Sequence, residues 1–297
     1  MDTSFIRGVI PPIVTPVDDN ELVNETALKR VIDHVLAGGV HGILALGSTG
    51  EFWGFPQEQA QRVLVTTLAH VNKRVPIYFG IGAITTKECV RLAKMARKEG
   101  AQAITILPPM FITPNDDELL AHFKAVAEAT PLPVLIYNNP DRMNVNISAA
   151  LLERLAAVPG IAGVKDSSGD MTLTAEYIRR TRGTGFRVMA GRDIMILATL
   201  TYGGVGCVAS TANVVPALVV KIYDEYMKGN LDAAREAQFK LAPLRIAFGL
   251  GSFPSVLKDS LNLLGLDVGK LVKPNTSCNE ANMAKLKKIL QEIGALS

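Results

Sequence analysis

The sequence predicts an α/β protein, a (β/α)8 TIM barrel with a C-terminal three-helix extension. Eight short apolar runs recur along the chain, and each is followed by a polar loop and then by a helical pattern. Apolar runs without polar alternation are typical of parallel strands buried on both faces. A doubly wound open sheet is the alternative, but its dinucleotide-binding versions carry a glycine-rich turn where this chain has Pro11–Pro16. Eight repeats therefore favour the closed barrel.

The elements alternate in a regular order along the barrel. The predicted strands are Gly8–Val14, Gly42–Leu46, Val75–Gly80, Ala103–Leu107, Val134–Tyr137, Ile161–Lys165, Arg187–Ala190 and Gly206–Ala209. The predicted helices between them are Asn24–Leu36, Gln57–Val71, Thr86–Lys98, Asp116–Ala129, Ser148–Ala157 and Thr172–Thr181. Capping residues precede several of these helices, and glycine ends others.

The pattern changes near Asn230, where helical segments follow one another without strands. We expect residues 1–229 to form the barrel and residues 230–297 to form the extension. The three helices predicted in the extension are Leu231–Leu244, Pro254–Leu263 and Glu280–Ile293. We interpret their apolar positions as core or subunit contacts.

Composition argues against several classes of protein. The formal net charge is only +3, and basic residues are not clustered with aromatic ones, so we expect no nucleic-acid partner. No apolar run is long enough to span a membrane, and the N-terminus lacks the pattern of a signal peptide. Three dispersed cysteines and four isolated histidines predict neither a disulfide framework nor a metal site. A cytoplasmic protein is the expectation.

Polar residues follow three of the predicted strands. Strand two ends in the turn Gly47–Glu51, strand five in Tyr137 and strand six in Lys165. Each residue taken alone has an ordinary explanation, such as a strand-end lysine whose charged group reaches water. In a barrel, however, the carboxyl ends of the strands meet at one rim, where the chemistry of such folds is found. We therefore expect these three groups to lie together.

An amine, a phenol and an anion-binding turn suit the chemistry of an α-keto acid. Partial desolvation favours the neutral, nucleophilic form of Lys165. Backbone N–H groups and hydroxyls of the Gly47–Glu51 turn can hold a carboxylate. The phenol of Tyr137 can move protons while the amine forms an imine with the ketone. The imine then stabilises an enamine at the neighbouring carbon.

The ordered motifs of the chain resemble those of the dihydrodipicolinate synthase/N-acetylneuraminate lyase family of class I pyruvate aldolases. The resemblance covers essentially the whole chain, and its motifs are Gly47–Glu51, Tyr137–Pro140, Gly163–Asp166 and Gly206–Asn213. It implies that Lys165 is the Schiff-base lysine and that no cofactor is needed. It also implies assembly as a homotetramer.

The resemblance assigns further roles near the lysine. It implies that Tyr137 and Ser48 relay protons and that Thr49 grips the substrate carboxylate. The backbone carbonyl of Val208 would face bound pyruvate. Arg142 matches an arginine that binds the carboxylate of the second substrate in the synthase branch.

Three residues at the ends of strands six and seven complete the candidate substrate-binding set: Ser167, Gly191 and Asp193. The neuraminate lyase branch has an acidic pair after the seventh-strand glycine, whereas apolar Ile194 follows Asp193 here. The stretch Lys165–Asp170 looks more like enzymes acting on 2-keto-3-deoxy sugar acids or 4-hydroxy-2-oxoglutarate.

Two departures from the synthase pattern affect the predicted reaction. Phe111 occupies the position of a second relay tyrosine that in the family enters the site of a neighbouring subunit. At the positions of the family's lysine-inhibition site, Glu88 matches, whereas four other residues differ: Phe52, Trp53, Gln57 and Ile84. Feedback inhibition by lysine is therefore not expected.

The leading hypothesis is a Schiff-base lyase that reversibly cleaves a 2-keto-3-deoxy sugar acid or a 4-hydroxy-2-oxo acid to pyruvate and an aldehyde. A 2-keto-3-deoxy acid dehydratase is one alternative. Another is 4-hydroxy-tetrahydrodipicolinate synthase, which Arg142 supports and Phe111 weakens. A non-enzymatic keto-acid binder is the alternative from a different class of protein.

Overall fold

Eight parallel strands form a single sheet in the computed structural model, which describes residues 1–296. They are β1 Gly8–Val9, β2 Ile43–Ala45, β3 Ile77–Ile81, β4 Ala103–Ile106, β5 Val134–Asn138, β6 Ile161–Asp166, β7 Arg187–Ala190 and β8 Gly206–Cys207. Consecutive strands from β2 to β8 pair with each other, and β8 pairs with β1. A parallel bridge between Pro12 and Leu44 joins the two remaining edges, with the Leu44 N–H donating to the Pro11 carbonyl at 2.9 Å. The predicted (β/α)8 barrel is confirmed.

Helices follow the strands and cover the outside of the barrel. They are α1 Glu25–Ala37, α2 Gln57–Val71, α3 Thr86–Glu99, α4 Asp116–Glu128, α5 Pro140–Met143, α6 Ala149–Ala156, α7 Met171–Thr181, α8 Ile196–Tyr202, α9 Pro216–Met227, α10 Leu231–Ile246, α11 Ser255–Leu263 and α12 Glu280–Glu292. Several begin at the residue types that satisfy free N–H groups. Asn115, for example, forms a reciprocal capping box with Glu118 at the start of α4.

The first strand is shorter than the predicted Gly8–Val14. Pro11 and Pro12 have no backbone N–H to donate to a neighbouring strand, so regular pairing stops after Val9. The chain nevertheless stays extended beside β2, as the bridge at Pro12 shows. The barrel thus closes through two prolines with few hydrogen bonds.

Two apolar layers make up the core. One fills the inside of the barrel and consists of buried residues that the alternation of the strands directs inward: Ile6, Ile10, Leu44, Tyr78, Ala103, Leu135, Ala162, Met189 and Val208. The other lies between the sheet and the helices. Because the interior is packed, polar chemistry is confined to the mouth of the barrel.

The helices α10 and α11 pack onto the barrel near the carboxyl ends of its last strands, and α12 packs against α10 and α11. The helix α10 lies against α9 and against the turn Asp193–Met195, and α11 lies against the turn Ser210–Asn213. C-terminal helices were predicted, and their placement brings residues 245–253 to the mouth of the barrel. The division of the chain at residue 230 into two domains stays a prediction.

Across residues 1–296, no helix is both long enough and apolar enough to cross a bilayer. In the same part of the chain, His, Cys, Asp and Glu side chains do not gather in groups of three or more that could hold a metal ion.

Candidate active site

Lys165 and Tyr137 are neighbours on adjacent strands at the mouth of the barrel. They are register partners across β5 and β6, so their side chains leave the sheet in the same direction. The Lys165 Nζ lies 3.7 Å from the centroid of the Tyr137 ring. Both side chains are almost completely buried, with exposed fractions of 3% and 6%. The predicted amine and phenol are therefore in contact in a largely dehydrated site.

The Tyr137 hydroxyl is surrounded by groups that stabilise its ionised form. Burial acts to raise its pKa, but the Lys165 charge and hydrogen bonds with Ser48, Lys165 and Ser167 outweigh burial, so the pKa is lowered. The side-chain amide of Asn139 also donates to this hydroxyl at 3.1 Å. A phenol whose pKa is lowered toward neutrality is better suited to accept and return a proton. Ser48 and Ser167 provide the hydroxyls beside it.

A buried polar network holds the ends of β5 and β6 together below this pair. Asp166 accepts hydrogen bonds from the Asn138 side chain at 3.1 Å, from Thr174 at 2.5 Å and from both the N–H and hydroxyl of Ser168 at 3.0 Å. The hydroxyl of Tyr177 accepts from Asn138 at 3.2 Å and donates to a backbone carbonyl. Since each of these groups fixes its neighbour, the register that places Tyr137 beside Lys165 is well determined.

The turn after β2 lies next to this pair. Its residues Ser48–Gly50 form a single 3₁₀ turn, and all three are buried. The Thr49 hydroxyl lies 3.0 Å from that of Ser210, which follows β8. The Thr15 hydroxyl donates to the Gly50 carbonyl at 2.8 Å. The Ser48 and Thr49 hydroxyls therefore lie at the site, and the turn is anchored to two other strand ends, as holding a carboxylate would require.

Gly191 follows β7 and lies close to the end of β6. A Cβ atom at this position would be 2.1 Å from the Ser167 Oγ and 2.7 Å from the Asp166 carbonyl oxygen, so a larger residue would displace Ser167. The Gly191 N–H donates to that carbonyl at 2.7 Å. Val208 follows β8, and its side chain packs in the barrel interior. Its predicted role involves the backbone and stays a prediction.

Asp193 is a buried carboxylate beside the mouth of the barrel. Its Oδ2 lies 3.6 Å from the Nε of Arg245, a residue of α10. Burial raises the pKa of Asp193 to about 6, although Arg245, Lys165 and the amides of Ser210 and Thr211 oppose this increase. The site thus contains a carboxyl group that changes its charge at mildly acidic pH.

These groups open onto one cavity of about 390 Å³. Six predicted site residues line it: Tyr137, Arg142, Lys165, Ser167, Gly191 and Asp193. Ser48 and Thr49 lie just behind them and reach the cavity through Tyr137 and Ser210. The structure thus brings eight of the nine predicted residues together around one space, and Val208 adjoins it from below. The catalytic and binding roles of all nine stay predictions.

The outer half of the cavity is built by Arg142, which was predicted, and by residues that the sequence reasoning missed. The Arg142 guanidinium stacks on Phe253 at 4.4 Å, and that of Arg245 stacks on Phe248 at 4.9 Å, each measured to the ring centroid. The two rings are 5.9 Å apart. Arg192 lies beside them, where it pairs with an aspartate and donates to the Ser167 carbonyl at 2.9 Å. Three arginines thus line the outer cavity against two carboxylates, Asp141 and Asp193, which pair with Arg192 and Arg245, so the outer cavity is cationic overall.

The sequence contains a signal for part of the outer half of the cavity. The helical pattern of the extension is interrupted after Pro243 by residues 247–253, which contain two glycines between two phenylalanines. A glycine-rich break between helices is typical of a loop, and loops often carry binding residues. We interpreted the extension as core and subunit contacts, and this interpretation was incomplete.

Phe111 does not reach this cavity within its own chain. It lies in the left-handed backbone region, with φ of 73°, and 93% of its side chain is exposed. A positive φ is uncommon for a residue other than glycine, and at this exposure the ring makes little contact with its own chain. The residues at the positions of the family's lysine site, Phe52, Trp53, Gln57, Ile84 and Glu88, instead line a separate cavity of about 280 Å³.

Comparisons with known proteins identify relatives that match nearly the whole chain. The model of the dihydrodipicolinate synthetase family matches residues 5–293. A curated relative, the 4-hydroxy-tetrahydrodipicolinate synthase of Methanoculleus marisnigri, is 35% identical over 98% of this chain and 100% of its own length. The crystal structure of dihydrodipicolinate synthase from Thermotoga maritima is 30% identical, with a TM-score of 0.95 over 98% of this chain and 99% of its own.

A second solved structure is that of YagE, a prophage protein of the same family from Escherichia coli K12, in complex with pyruvate. It is 27% identical, with a TM-score of 0.94 over 97% of this chain and 98% of its own. Enzymes of the family form a lysine Schiff base with pyruvate and need no separate cofactor. This chain therefore belongs to the dihydrodipicolinate synthetase family and is a Schiff-base lyase of the class I aldolase type.

Proposed function

We propose that this protein condenses pyruvate with aspartate semialdehyde, as a 4-hydroxy-tetrahydrodipicolinate synthase. The observation that carries the proposal is the cationic outer cavity directly above the Lys165–Tyr137 pair, where Arg142 faces the space left for a second substrate. Sequence reasoning alone ranked aldol cleavage first and this synthase as an alternative. The names of the curated relatives favour the synthase instead.

The first steps use the inner half of the cavity. The turn at Ser48 and Thr49 holds the pyruvate carboxylate, which places the ketone carbon next to the Lys165 amine. The amine adds to the ketone, and the carbinolamine loses water to give the iminium. Tyr137 returns protons to the departing hydroxyl and then accepts a proton from the methyl carbon, which leaves an enamine.

The later steps use the outer half. The guanidinium of Arg142 pairs with the carboxylate of the aldehyde substrate, because a planar guanidinium binds a carboxylate through two parallel hydrogen bonds. The enamine carbon attacks the aldehyde carbon, and the aldehyde oxygen takes up a proton. Attack on the resulting iminium then frees Lys165, by water or by the amino group of the second substrate.

Two measurements test the proposal. Treatment with pyruvate and borohydride should place a reduced adduct on the peptide containing Lys165, and Lys165→Ala should form none. The purified protein should then consume pyruvate only when aspartate semialdehyde is added. An adduct without such consumption would refute the synthase assignment while leaving the imine chemistry intact. No adduct would refute both.

A second candidate is cleavage of a 2-keto-3-deoxy sugar acid or a 4-hydroxy-2-oxo acid, or dehydration of the former. The replacement of the second relay tyrosine by Phe111 favours this candidate, because the phenol expected of the synthase relay is missing. A panel of such acids distinguishes the reactions, since cleavage releases pyruvate and dehydration gives a dioxo acid without pyruvate. Tight pyruvate binding without turnover of aspartate semialdehyde or of any acid in the panel would identify a keto-acid binder.

We also propose that the chain assembles as a homo-oligomer, a homotetramer being the expectation. Four large apolar residues that lie near one another are strongly exposed: Trp53, Ile84, Phe111 and Ile112. Exposed apolar residues grouped in this way are typical of a surface that a partner covers. Light scattering should give a mass above that of one chain, and Ile112→Asp should lower it. A monomer at micromolar concentration would contradict this proposal.

The three cysteines, Cys89, Cys207 and Cys278, are free thiols. We propose on this ground that the protein works in the cytoplasm, where thiols stay reduced.

A further inference from the structure

A fully buried ion pair connects the turn after β2 to the C-terminal helices. The Lys258 Nζ of α11 lies 2.5 Å from the Glu51 Oε2, and neither side chain is exposed to any extent. Lys258 also donates to the Lys270 carbonyl at 2.7 Å, and the Val272 N–H donates to the Glu51 Oε1 at 2.9 Å. Burial lowers the pKa of Lys258, and the Glu51 charge opposes that effect.

Glu51 is the last residue of the turn that carries Ser48 and Thr49. Its N–H donates to the Ser48 carbonyl at 3.2 Å, and its backbone adopts the left-handed conformation, with φ of 55°. A residue other than glycine keeps this conformation only where its surroundings enforce it. The side-chain contacts of Glu51 with Lys258 and Val272 provide that enforcement. The conformation of the turn is thus coupled to a lysine far away in sequence.

A lone 3₁₀ turn has few internal hydrogen bonds, so its shape depends on such anchors. Thr15 holds the turn from one side, through the Gly50 carbonyl, and the Glu51–Lys258 pair holds it from the other. The side chains of the pair do not line the cavity, and no step of the proposed reaction uses them.

We propose that Lys258 is a positioning residue that, through Glu51, fixes the turn holding the substrate carboxylate. Removing its charge should impair recognition of the carboxylate while leaving the Lys165 amine able to form imines. The inference rests on the proposed function, because it assumes that pyruvate forms an imine at Lys165 with its carboxylate on this turn.

The test compares two carbonyl compounds that differ in the carboxylate. Borohydride trapping at increasing concentrations of pyruvate or acetone gives an apparent dissociation constant for each. In Lys258→Met, the value for pyruvate should rise about tenfold to a hundredfold, the range expected when a contact is displaced by about an ångström. The value for acetone should stay within about twofold, since acetone makes no use of the turn. Lys228→Met, which removes an exposed lysine from a Lys–Glu pair at the C-terminal end of α9, is the matched control and should change neither value.

Lys258→Met leaves the buried Glu51 charge without its charged partner, with only the Val272 N–H still donating to it, which is strongly destabilising. The double variant Glu51→Gln/Lys258→Met removes both buried charges and should therefore fold. The double variant also lacks the anchor on α11, so its apparent dissociation constant should rise for pyruvate and not for acetone. If the single variant does not fold, the double variant alone tests the inference. Normal pyruvate trapping in the folded variants, or an equal loss for both compounds, would overturn the inference. A wild-type protein that forms no pyruvate adduct would instead refute the proposed function.

Discussion

Substitution of the buried Asp193 by asparagine should make the protein more stable at neutral pH. The pKa of this carboxyl is raised from its ordinary value of 3.8 to about 6, chiefly by burial. Each pKa unit corresponds to about 1.4 kcal/mol, so ionisation of Asp193 costs the folded state roughly 3 kcal/mol. Because the pKa is higher in the folded protein, the protonated form of Asp193 adds to the free energy of unfolding. This contribution is fully present below about pH 4 and is lost as the pH rises through 6.

Asparagine has the shape of the protonated acid and does not ionise. Asp193→Asn should therefore match the wild type near pH 4 and exceed it by up to roughly 3 kcal/mol at pH 7.5. Urea unfolding measured at intervals between these pH values gives the difference curve. Asp267→Asn is the control, since that carboxylate is largely exposed beside Arg30 and should give a flat curve. A flat curve for Asp193→Asn, or lower stability at pH 7.5, would refute the argument.

Three further substitutions test the proposed roles directly. Tyr137→Phe should still form the pyruvate adduct but lower kcat by a factor on the order of 10²–10⁴, as expected when a proton-transfer group is lost. Full activity of this variant would show that Tyr137 does not relay protons. Arg142→Met should raise KM for aspartate semialdehyde roughly 10- to 100-fold, because a charge-assisted hydrogen bond to its carboxylate is lost. KM for pyruvate should stay unchanged, and an equal rise in both values would indicate general damage to the cavity. Phe111→Tyr should increase the rate of condensation in steady-state assays, and no increase would mean that the missing phenol does not limit this enzyme.

The inner half of the site could be predicted from the sequence because a repeating fold fixes where strand ends meet. Lys165 and Tyr137 each end an apolar run, and a barrel brings the ends of parallel strands to one rim. Eight repeats predict a barrel, and a barrel places these two strand ends side by side. The proximity of the two residues therefore does not depend on any detail of side-chain geometry.

The outer half could not be predicted in this way. Arg245 and Phe253 belong to the extension, and no periodicity says where such helices dock on a barrel. Their positions depend on the packing of α10 and α11 against turns at the carboxyl ends of β7 and β8. The buried pairing of Lys258 with Glu51 was equally invisible, since a lysine in a helical pattern is expected to be solvated.

The stacking of Arg142 on Phe253 and of Arg245 on Phe248 means that two separate parts of the chain build the cavity. The strand ends carry the groups assigned to the imine chemistry, whereas Arg245, Phe248, Gly249 and Phe253 of residues 245–253 form much of the outer wall. On the proposed function, mutations in this short stretch should change the aldehyde partner without altering the residues assigned to the imine chemistry. A gene of this kind can acquire a new substrate through a few neighbouring substitutions, which also makes this stretch the natural target for a directed library.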